Sequence, residues 1–163
     1  MFNTILVAVD ESQAAKEASG LATTLALEDH ASVVLVNVID VGKLISVAGY
    51  DTPYPADTVE LLRESAQQLL DEMKAACEAK GLKATSLLGE GDAVDEIVRL
   101  ADENGAGLIC IGTHGREGLA RLFVGSVAEG VVRRSDVPVL VVRPTLEHGS
   151  VEGGGIDAPA KTR

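Results

Sequence analysis

Four glycines fall within the fifteen residues GTHGREGLARLFVGS: Gly112, Gly115, Gly118 and Gly125. Glycine is used where the backbone must turn left-handed or approach another group closely. The stretch follows the apolar run AGLICI and precedes a predicted helix. Its backbone N–H groups, together with those of the helix N-terminus, suit an anion such as phosphate. The alternative is that the glycines serve only turns and helix–strand packing.

The spacing differs from the two common phosphate-binding fingerprints. No lysine follows a glycine here, as GxxxxGK[ST] requires, and the first gap of two residues does not fit GxGxxG. The stretch offers backbone instead, because Gly112 and Gly115 can form an anion nest. Gly125 and Ser126 stand where a helix begins, and N–H groups lack partners there. Asp10, at the end of the first predicted strand, is a second ligand candidate, although it also suits a helix cap.

The elements that must position these residues are strands alternating with helices. The apolar runs are mostly continuous, as in strands that are buried on both faces. This predicts an α/β fold with a single open, doubly wound, five-stranded parallel sheet and helices on both faces. Ligands of such sheets bind at the carboxyl ends of the strands, where the strand order reverses. The predicted strands are 4–9, 32–38, 84–88, 107–111 and 137–142, and the predicted helices are 13–28, 58–80, 93–104 and 127–134.

Local signals mark the ends of these helices. Gly130, inside the last helix, is expected to allow close packing, since glycine there costs roughly 1 kcal/mol against alanine. The N-terminal signals are the pairs Asp57–Glu60 and Ser126–Glu129 and the dipeptide Gly91–Asp92, and the C-terminal signals are Gly81 and Gly105.

Two segments break the alternation. Residues 40–56 are too long for an ordinary connection and are predicted to form a mobile loop near the strand ends. Residues 145–163 contain GGG and few large apolar groups, which predicts a disordered tail. The sequence thus predicts one domain over residues 1–144, followed by that tail.

Composition limits the classes of partner. The formal net charge of −11 disfavours nucleic acid, and aromatic residues at 2% leave little for base stacking. The two cysteines fit no metal spacing and are expected to be buried free thiols. No secretion signal or apolar run of about 18 residues is found. We therefore expect a cytoplasmic protein without membrane insertion.

The chain resembles the universal stress protein family over roughly residues 2–144. The ATP-binding branch of that family carries the motif G-x2-G-x9-G-[ST], which Gly112, Gly115, Gly125 and Ser126 match in full. The residues around this motif and the stretch GDAVDEIV at 91–98 are similar to the family as well. The resemblance implies a Rossmann-like sheet of the adenine-nucleotide-binding type.

The resemblance also implies a role for individual residues. Asp10 would lie near the ribose or adenine, and Val38 would meet the adenine edge through its backbone. Ala8 and Ile111 would line the pocket, although the family often has proline at the position of Ala8. The phosphates would be held through backbone amides and one hydroxyl, by Gly112, Gly115, Gly125, Ser126 and Val127.

The function implied is that of an ATP-binding stress-response or regulatory protein. ATP, with or without magnesium, would act as a conformational ligand with little or no hydrolysis. The motif has no lysine and no evident general base for phosphoryl transfer. We therefore expect at most a weak ATPase, and a slow ATPase remains one alternative.

A nucleotide-independent dimeric interaction module, which would regulate a partner protein, is the other alternative. The strand at 137–142 carries no charge that would blunt a sheet edge. The resemblance implies an antiparallel homodimer through this strand, and the identity of a regulatory protein partner stays open. A receiver domain is disfavoured because Asp92 suits a helix cap, and a flavin module because aromatic residues are few.

Overall fold

The structure is an alternation of strands and helices around one parallel sheet. A computed structural model describes residues 1–40, 42, 56–113 and 125–144 of the 163-residue chain. The elements are β1 (Thr4–Ala8), α1 (Gln13–Asp29), β2 (Ser32–Ile39), α2 (Ala56–Glu78), β3 (Ala84–Glu90), α3 (Ala93–Glu103), β4 (Leu108–Gly112), α4 (Ser126–Arg134) and β5 (Val139–Val142).

The five strands pair in parallel in the order β3-β2-β1-β4-β5. The chain moves outward from β1 to β2 and β3, then returns to β4 on the other side of β1. The predicted fold class is therefore confirmed, with the reversal of strand order at β1 and β4. Most of the predicted loop at 40–56, Gly115 and the predicted tail at 145–163 lie outside the described residues, and the domain boundary stays a prediction.

Both faces of the sheet are covered by helices, which explains the continuous apolar runs. Ile5 and Val7 of β1 pack in one core with α1 and α2. Leu6 and Ala8, which alternate with them along the strand, pack in a second core with α3 and α4. No helix in the described parts of the chain is long and apolar enough to span a membrane.

Three of the predicted helix-end signals are confirmed. Asp92 is the N-cap of α3, and its carboxylate accepts hydrogen bonds from the amides of Val94 and Asp95, each at 3.0 Å. Gly81 and Gly105 follow α2 and α3 with φ angles of 83° and 59°. A side chain disfavours this left-handed conformation, so glycine suits both positions.

The other two capping predictions are wrong. Helix α2 begins at Ala56, which places Asp57 inside the first turn rather than before it. The N-cap of α4 is Gly125, which makes no side-chain cap hydrogen bond. Its carbonyl accepts from the amide of Glu129 at 2.9 Å, so Ser126 is the first helical residue and not the cap.

Helices α3 and α4 pack closely where α4 carries a glycine. A Cβ atom on Gly130 would lie 2.6 Å from Cγ2 of Val94. Arg134 of α4 also forms an ion pair with Asp95 of α3. The predicted packing role of Gly130 is confirmed. The contacts with α3 hold α4 in place, and α4 is the helix that begins at the end of the glycine motif.

Replacing Gly130 with alanine tests this contact. We expect Gly130→Ala to lower the free energy of unfolding by about 1–2 kcal/mol, because overpacking typically costs about 1–3 kcal/mol and helix propensity returns at most about 1. In a Val94→Ala background the same change should stabilise the protein. The measurement is urea unfolding of both single variants and the double variant.

The matched control is Gly20→Ala in α1, where nothing lies within 4 Å of the added Cβ atom. This variant should be neutral or more stable by up to about 1 kcal/mol. Equal effects of Gly20→Ala and Gly130→Ala would contradict the packing role.

Candidate functional site

A crevice opens at the carboxyl end of β1, because the neighbouring strands extend beyond it. The β1–β2 register ends at the pair Ala8–Val36, and β2 continues to Ile39. On the other side, the register ends at Ala8–Ile111, and β4 continues to Gly112. This is the place where the strand order reverses, and doubly wound sheets bind ligands there.

The crevice contains a cavity of about 200 Å³ among the described residues. Pockets for small ligands commonly have roughly 300–1,000 Å³, so the described part of the cavity has room for only a portion of such a ligand. Its walls are mainly small or branched apolar side chains, with three polar residues at the strand ends. The lining consists of Ala8, Val9, Asp10, Ala15, Val36, Asn37, Val38, Asp40, Ala93, Ile97, Ile111, Gly112 and Val127.

The structure brings six of the nine predicted site residues together in this lining. Gly125 and Ser126 stand at the start of α4, beside the lining residue Val127. Gly115 lies outside the described residues. Ligand contact by any of them stays a prediction. The six are Ala8, Asp10, Val38, Ile111, Gly112 and Val127.

Val38 presents backbone rather than side-chain chemistry to the crevice. In a parallel sheet, the backbone groups of successive residues point to opposite neighbours. The carbonyl of Val36 accepts from the amide of Val9 on the β1 side, at 2.8 Å. The carbonyl of Ile39 accepts from Gly91 on the β3 side, at 3.1 Å. Val38 therefore turns its N–H and C=O toward the β1 side, beyond the last β1–β2 pair.

Asp10 holds the turn between β1 and α1 while it lines the cavity. Its Oδ1 accepts a hydrogen bond from the amide of Ser12 at 2.9 Å. Ser12 is the N-cap of α1, and its Oγ accepts from the amide of Ala15 at 3.1 Å. Asp10 is therefore not the helix cap. Its carboxylate supports the turn that precedes the cap.

Asn37 and Asp40 were not found from the sequence. Asp40 follows β2 and adds a second carboxylate to the cavity that Asp10 lines. The Nδ2 group of Asn37 donates to the carbonyl of Val9 at 2.8 Å. The ends of β1 and β2 therefore make one side of the cavity acidic, whereas the N-terminus of α4 carries the positive end of a helix dipole.

Gly112 has a structural reason to be glycine. A Cβ atom there would lie 2.5 Å from the carbonyl carbon of Ala14 and 2.6 Å from the amide nitrogen of Ala15, in the first turn of α1. The amide of Thr113 donates to Val142 on the β5 side, at 2.8 Å. By alternation, we assign the Gly112 N–H to the ladder with β1. We therefore expect Gly112 to shape the cavity through its missing side chain rather than through its amide.

The cysteines are buried free thiols, as predicted. Cys110 lies in β4, one residue before the lining residue Ile111, with no exposed surface. Burial raises the pKa of the Cys110 thiol to about 12. The protonated thiol is a poor nucleophile, so Cys110 supplies core packing below the cavity.

An open parallel sheet with a polar-rimmed crevice at the strand reversal defines a doubly wound α/β ligand-binding domain. The profile of the Universal stress protein family matches residues 1–143. The chain belongs to this family.

Solved structures of related proteins share the fold. MJ0577 from Methanocaldococcus jannaschii is 30% identical, with a TM-score of 0.75, and the match covers 89% of this chain and 98% of that one. A universal stress protein in complex with cAMP is 25% identical, with a TM-score of 0.65, over 88% and 98% of the two chains. The universal stress protein from Archaeoglobus fulgidus in complex with dAMP is 25% identical, with a TM-score of 0.61, over 85% and 96%.

The raised pKa of Cys110 predicts how stability depends on pH. The unfolded thiol ionises near pH 8.5, and the folded one only near 12. Between these values the folded state binds more protons, so its stability falls as pH rises. We expect the parent to lose about 1–2 kcal/mol relative to Cys110→Val between pH 8 and pH 10.

The measurement is urea unfolding of both proteins at each pH, with a reductant present. Other ionisations are common to the pair and cancel in the difference. A difference between the two proteins that does not change with pH would contradict the shift.

Proposed function

We propose that this chain is an ATP-binding regulatory member of the family, in which the nucleotide is a conformational ligand. The observation that carries the proposal is the backbone edge of Val38. Among the described residues it makes no backbone hydrogen bond toward the β1 side, and by alternation it faces a cavity that the start of α4 also borders. The relatives described in complex with cAMP and dAMP support an adenine nucleotide as the ligand. Those two ligands share the adenine and one phosphate and differ in the sugar hydroxyls.

The charges of the site favour one orientation of the nucleotide. Adenine carries an amino donor and ring nitrogen acceptors, which suit the C=O and N–H of Val38. The carboxylates of Asp10 and Asp40 can accept from ribose hydroxyls and would repel phosphate. The phosphates would lie toward Gly125 and Ser126, where the helix dipole and N–H groups without intrahelical partners favour anions.

Little or no hydrolysis is expected from the groups around the cavity. Efficient phosphoryl transfer needs cationic groups or metal on the transferring phosphate and a positioned acceptor. The described lining contains no lysine, arginine or histidine. Turnover well above about one per minute that a cavity variant abolishes would contradict this expectation and indicate a true ATPase.

Calorimetric titration with ATP and magnesium, after removal of any co-purified nucleotide, tests the proposal. The most selective variant is Ser126→Ala. Ser126 is exposed, and it is not the N-cap of α4, which is Gly125 and makes no side-chain hydrogen bond. We expect it to leave stability unchanged and to weaken ATP binding about threefold to tenfold, as loss of one hydrogen bond does. From the glycine motif of the sequence, we also expect Gly115→Val to abolish ATP binding.

Adenosine is the control ligand, because it lacks the phosphates. Its affinity should be the same for the parent and Ser126→Ala. If the stripped parent binds no adenine nucleotide, the glycines serve only the fold, and the dimeric interaction module becomes the better explanation.

We also propose a homodimer through β5, which lies at one edge of the sheet. The carbonyls of Pro138 and Val142 accept from β4, so the backbone of Val141 points outward by alternation. None of the residues of β5 is charged, and an uncharged edge strand is prone to pair with another copy.

Proline substitution separates the two sides of β5. Val141→Pro should produce a folded monomer, because the backbone group that it removes is an outward N–H. Leu140→Pro is the matched control and should destabilise the fold, because that N–H faces β4. Light scattering after size exclusion measures the mass, and a dimer formed by Val141→Pro would place the interface elsewhere.

A further inference from the structure

We propose that Asn37 is a positioning residue, which keeps the base-binding edge of the cavity, the N–H and C=O of Val38, open by occupying the carbonyl of Val9, the first residue after β1. Its side-chain amide takes the place of a backbone rung, so that the N–H of Val38 remains available to a ligand. This inference rests on the proposed function and deepens it, because it assigns the adenine specificity of the site to a side chain that does not itself contact the base.

The register shows which hydrogen bond is replaced. The last backbone bond between the β1 and β2 chains joins the amide of Val9 to the carbonyl of Val36, at 2.8 Å. One step further along a continued parallel ladder, the amide of Val38 would donate to the carbonyl of Val9. Among the described residues no backbone bond joins these two groups. The Nδ2 group of Asn37 donates to the Val9 carbonyl instead, at 2.8 Å.

There is an energetic reason for a side-chain donor to take the place of the backbone amide. The bond between Asn37 and Val9 is partly buried, and a buried carbonyl without a donor costs free energy. If residue 37 had no donor, the Val38 N–H is the group that a continued parallel ladder would supply to this carbonyl. The ladder would then extend by one rung, and the edge that adenine requires would be closed.

An amide suits this position because of the charges around it. Asp10 and Asp40 line the same cavity, so a cationic donor at position 37 would be drawn toward their carboxylates rather than toward the carbonyl. A neutral N–H donor has no such competition. A carboxylate at position 37 would place oxygen against oxygen at the Val9 carbonyl.

The test replaces the donor with an apolar side chain of similar size, Asn37→Leu. The matched control is Asn104→Leu, because the Nδ2 group of Asn104 donates to the carbonyl of Leu100 at the same 2.8 Å in a partly buried setting. Asn104 ends α3 and lies before β4, at the opposite end of the sheet from the cavity. Both variants lose one side-chain-to-backbone hydrogen bond, but only one of them lies at the proposed site.

Two readouts separate positioning from general stability. Calorimetry should show that Asn37→Leu lowers the affinity for both ATP and adenosine by about tenfold. The ratio of the affinities for ATP and ITP should also be smaller in this variant than in the parent. Asn104→Leu should bind like the parent. Amide hydrogen exchange by NMR without nucleotide should show a fast-exchanging Val38 amide in the parent and a protected one in Asn37→Leu.

Each outcome decides between explanations. If Asn37→Leu binds ATP like the parent, or if the Val38 amide is protected in the free parent, the positioning role is wrong. Equal loss of affinity in Asn37→Leu and Asn104→Leu would also overturn it, because the effect would then follow stability. If the parent binds no adenine nucleotide, the proposed function fails, whereas the exchange of Val38 in parent and variant still decides whether Asn37 controls that edge.

Discussion

The site depends on one feature of the sheet, the early end of its central strand. Strand β1 stops at Ala8, while β2 and β4 continue on either side. Beyond that point the backbone of Val38 in β2 faces the side on which β1 has ended, and the crevice forms there. Helix α1 then begins within a few residues, because Asp10 and Ser12 hold the turn and the cap. Its first turn fits against β4 only because Gly112 has no side chain. Strand length, helix start and glycine position are thus parts of a single packing arrangement.

The sheet could be predicted because burial on both faces leaves a strong signal in the sequence. Continuous apolar runs place the five strands, and right-handed crossovers restrict their order. The ends of the strands were predicted less well, because backbone pairing with the neighbouring strand, rather than hydrophobicity, decides where a strand ends. Strand β3 was predicted to end at residue 88, yet it continues through Gly89 to Glu90 opposite β2. The capping pairs at Asp57 and Ser126 failed for a similar reason, since the register of the first turn decides which residue is the cap.

The position of the candidate site could be predicted from the sequence, but not all of the residues and contacts that form it. Asp10 and the glycines indicated, by type and spacing, the edge of the sheet at which the cavity lies. The close approach of Gly112 to α1 is a contact between distant parts of the chain, and no local pattern reports it. Asn37 and Asp40 were missed because a polar residue at a strand end has no periodic signal. The role of Asn37 follows from a bond to a residue 28 positions away. The phosphate loop around Gly115 remains a prediction.

The arrangement of the cavity restricts how a nucleotide could regulate this protein. A ligand shifts a conformational equilibrium only by binding the two states with different affinity. The adenine end would be held by strand ends within the packed sheet, at Val38 and Ile111, and a packed sheet offers the same edge in either state. Differences in affinity must then arise where the ligand extends beyond the strand ends, toward the start of α4. For ATP placed as proposed, the phosphates and not the base would carry the signal.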